Sequence, residues 1–221
     1  MSVEMVAFDV AGTTLNDDGI VITAFKNAFE ATQPDLWPSK GEIWTQYAID
    51  TMGQSKIHVF TELLGDAQKA YQANLAFEES YISEITEIGA TPIIGAEELF
   101  SELRKQGIAV VLTTGFSRST LDVLLDTLNW RDLIDLSVTP SEVERGRPFP
   151  DMLNFAAKQL MISPPENIMV VGDTAADMRA GIAFGAGHVV GVLSGAHDRE
   201  TLHNAGATQI INSVANLPSL I

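Results

Sequence analysis

The chain holds 221 residues, 46 % of them hydrophobic, with a formal net charge of −16 from 29 acidic and 13 basic side chains. That content suits one folded domain, or one domain with a sizeable insert, and argues against disorder. The acidic balance disfavours nucleic acid and anionic membrane as partners. The absence of Cys excludes disulfides, thiolate metal sites and a Cys nucleophile. No apolar run has the length of a membrane span, and the N-terminus lacks a basic and apolar leader, so a cytoplasmic location is expected.

In chain order, MSVEMVAFDV (1–10) predicts a buried strand. The turn formers LNDDG (15–19) follow. From Ile20 to Ile88 no strand pattern occurs. ITAFKNAFEAT, KGEIWTQYAID, SKIHVFTELLG and DAQKAYQANLAFEESYISEITEI all carry apolar residues at helical spacing, and the last is rich in Ala and Glu. GATPIIG (89–95) ends this stretch. Strands and helices then alternate. GAEELFSELRKQ, SRSTLDVLLDTLNW, PDMLNFAAKQLM and TAADMRAGIAFG read as helices. GIAVVLTTG (107–115), a weaker LIDLSVT (133–139), NIMVVGDT (167–174), HVVGVLSG (188–195) and TQIINS (208–213) read as strands. Such alternation implies an α/β fold with a doubly wound parallel sheet. Residues 1–14 and 92–221 would form the core domain, and 15–91 a helical domain inserted after the first strand.

The residues that end the strands carry the chemistry. The first strand delivers Asp9, the second Thr113, Thr114 and Gly115, and the fourth Gly172, Asp173 and Thr174, with Asp177 four positions further on. GRPFPD contributes Arg147. In a doubly wound sheet these positions converge on the carboxyl edge. Two carboxylates, a hydroxyl beside a glycine and a guanidinium suit Mg²⁺ together with a phosphoryl group. Each residue alone has a plainer explanation: a turn-forming Asp, a capping Asp173 or Thr174, a first-turn acid at Asp177. On successive strand ends and in this order, they point to a site.

FDVAGTT, VVLTTGF, GRP and VVGDTAADM resemble, in order, the four motifs of the haloacid dehalogenase superfamily. The resemblance covers residues 1–14 and about 92–221, and the inserted helices are similar to that family's helical cap. It implies that Asp9 is the nucleophile and forms an aspartyl-phosphate, that Thr114 and the N–H of Gly115 hold the phosphoryl group, and that Arg147 takes a place more often filled by Lys. It also implies that Asp9, the backbone oxygen of Ala11 and Asp173 hold Mg²⁺, with Asp177 bound through water or orienting the metal's surroundings. Most members carry an Asp where this chain has Ala11. The phosphonoacetaldehyde hydrolase branch carries an alanine, and AGTT, TTGFSR and VTPSEVERGRPFPDM resemble that branch, with Phe116 where a Tyr is usual. MGQSKI places Lys56 where the branch has its Schiff-base lysine. His58 sits one place off the position of the branch's histidine.

Ala11 fits such chemistry. A phosphate ester leaves as an alkoxide and needs a general acid. A C–P bond leaves as a carbanion and needs an electron sink, which an imine between a lysine and an aldehyde provides. The expectation is therefore a Mg²⁺-dependent hydrolase of a small phosphonate, with Lys56 forming the imine. A phosphatase of a small phosphate monoester, with Lys56 reading the substrate, is the first alternative. A non-catalytic binding protein on the same fold is the second. The cap helices also offer a surface for a homodimer.

Overall fold

The computed structural model describes residues 3–220. Met1 and Ser2, expected within the first strand, and Ile221 lie outside the described residues. Six strands form one sheet: β1 (Met5–Phe8), β2 (Ala109–Thr113), β3 (Leu136–Val138), β4 (Ile168–Gly172), β5 (His188–Val192) and β6 (Gln209–Ile211). Every pairing is parallel and the order is β3-β2-β1-β4-β5-β6. All four residues of β1 are buried, as an apolar strand covered on both faces requires. Phe8 stands in register with Leu112 on one side and Val171 on the other. The residues that follow these three strands therefore emerge side by side. The chain lays β2 and β3 on one side of β1 and β4 to β6 on the other, so the crevice for a ligand opens at the carboxyl end of β1.

Among the described residues, nine α-helices accompany the strands. Helices α1 (Ile20–Thr32), α2 (Trp37–Asp50), α3 (Lys56–Leu64) and α4 (Ala67–Ile88) fill the stretch that lacks strand pattern. Helix α4 packs along α1 and α3 and buries the stripe Ala70, Ala73, Phe77, Tyr81 and Ile85, spaced by three and four residues. An aromatic cluster fills the space between these helices. Phe25 of α1 lies 4.9 Å from both Phe60 and Phe77, and Phe29 lies 4.6 Å from Trp44. Tyr81 continues the cluster to Phe116 at 4.6 Å, just beyond β2. Among the described residues, no helix is long and apolar enough to cross a membrane.

Helices α5 (Ala96–Lys105), α6 (Arg118–Thr127), α7 (Asp151–Gln159) and α8 (Ala175–Phe184) are the connections read from sequence. In α5, Glu97 and Glu98 occupy the first turn and Arg104 and Lys105 the last, each complementing the helix dipole. Two departures have local causes. Helix α2 begins at Trp37, before the expected Lys40, because Pro38 in its first turn favours helix initiation. Helix α9 (Arg199–Asn204) has six residues and one buried apolar side chain, Leu202, too little for a periodic pattern. Asp198 starts it by accepting from Thr201 N–H.

Phe77→Ala is expected to destabilise the fold by ~3–5 kcal/mol, since the ring is fully buried between Phe25, Phe60 and Tyr81 and the cluster cannot collapse into the hole. Urea denaturation measures the loss.

Candidate active site

The site begins with the turn after β1. Asp9 N–H donates to Val171 O at 2.9 Å, so the pairing of β1 with β4 extends one residue beyond the strand. The N–H groups of Thr13, Thr14 and Leu15 all donate to Val10 O, and the Thr14 hydroxyl donates to Asp9 O at 2.9 Å. Gly12 has φ +84°, and a Cβ there would stand 2.5 Å from Asp173 Oδ2. A glycine is needed both for the turn and for its approach to the neighbouring strand.

Asp173 follows β4. It accepts from the Thr13 hydroxyl at 2.9 Å and from Ala196 N–H at 2.7 Å. Asp177 lies in the first turn of α8, where Thr174 is the N-cap. Thr174 N–H and its hydroxyl both donate to Asp177 Oδ2, and the Thr174 hydroxyl in turn accepts from Asp177 N–H at 3.3 Å. Asp177 thus serves the helix as a first-turn acid and still presents Oδ1 to the site. One ligand oxygen from each of Asp9, Asp173 and Asp177 lies within 4.8 Å of the others, and all three residues are buried. Arg147 Nη1 donates to Asp9 Oδ1 at 2.7 Å and to Asp177 Oδ1.

Three buried carboxylates against one guanidinium leave negative charge unbalanced. Burial, and after it the charge of Asp9, push Asp173 above the usual carboxylate range. A hard, all-oxygen donor set of this charge suits a divalent cation, and the acidic triad could hold one. The next strand end supplies Thr114, which is buried and whose hydroxyl accepts from Phe116 N–H at 3.2 Å.

The loop before α3 lies against these strand ends. A Cβ on Gly115 would come 2.4 Å from Gln54 O, and one on Gly53, at φ +87°, would come 2.3 Å from Thr174 Oγ1. The loop ends in Lys56, the first residue of α3. A lysine in an inserted helical segment is ordinarily a solvated charge, but this one is only 7 % exposed. Its Nζ lies 5.7 Å from the ring centroids of both Phe25 and Phe116. Among the described residues its ammonium takes part in none of the ion pairs, which at this site join Arg147 to Asp9 and Asp177. Burial, then the charge of Arg147, lower its pKa to about 8.

A cavity of about 20 Å³ is enclosed by Asp9, Ala11, Lys56, Thr114, Gly115 and Arg147, together with neighbouring residues. The structure thus gathers six of the residues picked from sequence around one space. Asp173 and Asp177 join them through Asp9. A cavity of about 490 Å³ adjoins it, with Lys56, Gly115, Phe116 and Arg147 as shared walls and His58 among its lining. Sequence reasoning missed Thr13 and the loop after β5, whose Ala196 N–H holds Asp173. The glycine-bearing LSGA segment at a fifth strand end was the available signal for that loop. Thr174, one of the strand-end residues read from sequence, both caps α8 and lines the small cavity.

A family model described as a haloacid dehalogenase-like hydrolase matches residues 3–185. A phosphonoacetaldehyde hydrolase of Bacillus cytotoxicus is 33 % identical over 213 residues, covering 90 % of this chain and 78 % of the relative. One from Bacillus mycoides is 31 % identical over 214 residues, with the same coverage. A phosphonoacetaldehyde hydrolase-like protein from Oleispira antarctica superposes with a TM-score of 0.84 at 24 % identity, covering all of this chain and 91 % of the other. A phosphoglycolate phosphatase-like structure from Lactobacillus delbrueckii superposes at 0.80 with 19 % identity, covering 100 % and 99 %. At these identities the structural matches speak for the fold alone.

Lys56 makes stability depend on pH. Its pKa in the folded chain, about 8, lies below the usual 10.5. Between those values the unfolded chain binds more protons, so this contribution to stability rises with pH; below about 8 both states are protonated and it is flat. Removal of the charge by Lys56→Met abolishes the slope. In urea titrations the deficit of wild type relative to K56M is expected to shrink by up to roughly 3 kcal/mol across that window.

Proposed function

The chain belongs to the haloacid dehalogenase-like hydrolases, and from that premise we propose that it cleaves the C–P bond of phosphonoacetaldehyde or a close relative. One observation carries this reading. Lys56, buried and without an ion-pair partner among the described residues, lines the same cavity as Asp9, and Ala11 stands where ester chemistry would want a second carboxylate. The names of the relatives support it.

In this reading Asp9 attacks phosphorus. Thr114, the Gly115 N–H and Arg147 hold the phosphoryl oxygens and offset their charge. Lys56 condenses with the aldehyde, water leaving, to form an imine. When the C–P bond breaks, its electron pair moves into the imine and gives an enamine, while the phosphoryl group stays on Asp9. Water then releases phosphate from Asp9, and hydrolysis of the enamine, once protonated on carbon, frees Lys56 and acetaldehyde. A lysine with a pKa near 8 is neutral in about one molecule in ten at pH 7, against about one in 2,500 for an ordinary lysine. Helices α1–α4 act as a cap: the loop carrying Gly53 and Gln54 closes on the strand ends and excludes water until phosphoryl transfer is complete.

Asp9, Asp173 and Asp177, with the carbonyl oxygen of Ala11, would hold Mg²⁺. When bound, that ion supplies the positive charge that lets an anionic substrate approach three carboxylates. A phosphatase acting on a phosphate monoester is the second reading. The adjoining 490 Å³ cavity favours it, since a two-carbon aldehyde needs far less room.

Borohydride added with phosphonoacetaldehyde is expected to inactivate the enzyme and to leave an adduct that mass spectrometry places on Lys56. Lys56→Arg, which keeps the charge but forms no imine, is expected to lose C–P cleavage by about three orders of magnitude or more. An active Lys56→Arg variant, or turnover without an adduct, decides for the phosphatase.

Removal of the metal tests the acidic triad. EDTA is expected to abolish phosphate release and Mg²⁺ to restore it, and Asp173→Ala is expected to be as damaging as the chelator. Full activity in EDTA would leave the aspartates as turn formers and helix caps.

A further inference from the structure

Residues 194–197 follow β5, belong to no strand or helix, and line neither cavity of the site. They are tied to it all the same, at four points. The Ser194 hydroxyl donates to Gly12 O at 2.8 Å. Ala196 N–H donates to Asp173 Oδ2 at 2.7 Å. His197 N–H donates to Asp173 O at 3.2 Å. The His197 imidazole closes the set, its Nδ1 accepting from Ala175 N–H at 2.9 Å. Ala175 is the first residue of α8, where a backbone N–H has no partner inside the helix. His197 thus grips the chain on both sides of Thr174, with its own N–H at Asp173 and its ring at Ala175.

That grip bears on one carboxylate. Asp173 has a donor on each oxygen, the Thr13 hydroxyl on Oδ1 and Ala196 N–H on Oδ2. Together they fix how the carboxylate is turned. Thr13 sits in a turn whose N–H groups converge on Val10 O. Ala196 is exposed and lies in irregular chain, so its N–H is aimed only as well as its neighbours are held. Gly195, before it, has no side chain to hold with, since a Cβ there would collide with Asp173 Oδ2. His197, after it, is the neighbour with a side-chain bond to the chain that carries Asp173.

We propose that His197 is a positioning residue. Its imidazole, by accepting from Ala175 N–H, keeps Ala196 N–H on Asp173 Oδ2 and so keeps that carboxylate turned toward the cation position shared with Asp9 and Asp177. The proposal rests on the reading of the acidic triad as a cation site given above. Without the imidazole the segment is free to draw back. Asp173 then loses a donor that fixes its rotation and offsets part of the charge of the triad.

The test separates an acceptor from mere bulk. His197→Ala removes the ring. His197→Leu keeps bulk without an acceptor, and His197→Asn keeps a side-chain oxygen close to where Nδ1 stands. Mn²⁺ is titrated into each protein, with free ion counted by its electron paramagnetic resonance signal, and thermal unfolding in EDTA reports the fold without metal. The expected result is Mn²⁺ affinity at least ~10-fold weaker in the Ala and Leu variants, affinity in His197→Asn within threefold of wild type, and all three variants folded in EDTA. A smaller loss in His197→Ala overturns the proposal. So does a His197→Asn variant as weak as His197→Leu. If His197→Ala does not fold, Leu against Asn makes the same comparison. If neither Ala nor Leu folds in EDTA, the role is structural and the proposal falls. A wild type that binds no Mn²⁺ sinks the cation reading and the proposal with it, whereas failure of the proposal alone leaves wild-type binding intact.

Discussion

Like charges are packed against one another at the carboxyl end of β1, and the rest of the molecule is arranged to hold them there. Asp9, Asp173 and Asp177 are buried within reach of a single ion, where their repulsion is poorly screened. Arg147 answers part of that charge. Thr13, Thr174 and the Ala196 N–H answer more by hydrogen bonds to the carboxylates. Such a cluster survives only on a stiff support, and β1, apolar and buried on both faces between β2 and β4, is that support. Gly12 and Gly195 complete it, because a Cβ on either would collide with Asp173.

The helices between β1 and α5 answer a different need. Their aromatic cluster runs without a break from Trp44 through Phe29, Phe60 and Phe77 to Tyr81 and Phe116. It reaches the loop that follows β2. This continuity keeps Lys56 out of water although it belongs to the inserted stretch. Close contacts of Gly53 with Thr174 and of Gly115 with Gln54 fix the loop that carries it. Desolvation and the nearby guanidinium then lower the affinity of Lys56 for a proton. The polar groups thus fall into two sets: the acidic triad, Thr114 and Arg147 belong to the strand ends and the loops around them, and Lys56 to the helices.

A hydrolase family model matches residues 3–185, helices α1–α4 included. The relatives and neighbours carry names from phosphonoacetaldehyde hydrolase to phosphoglycolate phosphatase.

Much of this was legible in the sequence by itself. The six strands, the strand-free stretch and the strand-end residues are recorded in short-range pattern, because each apolar run or helical stripe depends on neighbours a few positions away. Ends were less legible. β3 has three residues where seven read as strand, and α9 is too short to leave a period. What only the tertiary structure decided is which groups lie within a few ångströms of one another. Thr13 and Ala196 meet at Asp173 across 160 and 23 positions of the chain, and local pattern carries no record of that. The burial of Lys56 is of the same kind. Its own segment reads as an amphipathic helix start, where a lysine is normally solvated. Only the packing of Phe25 and Phe116 around it, from residues far before and after, removes the water and weakens its hold on a proton.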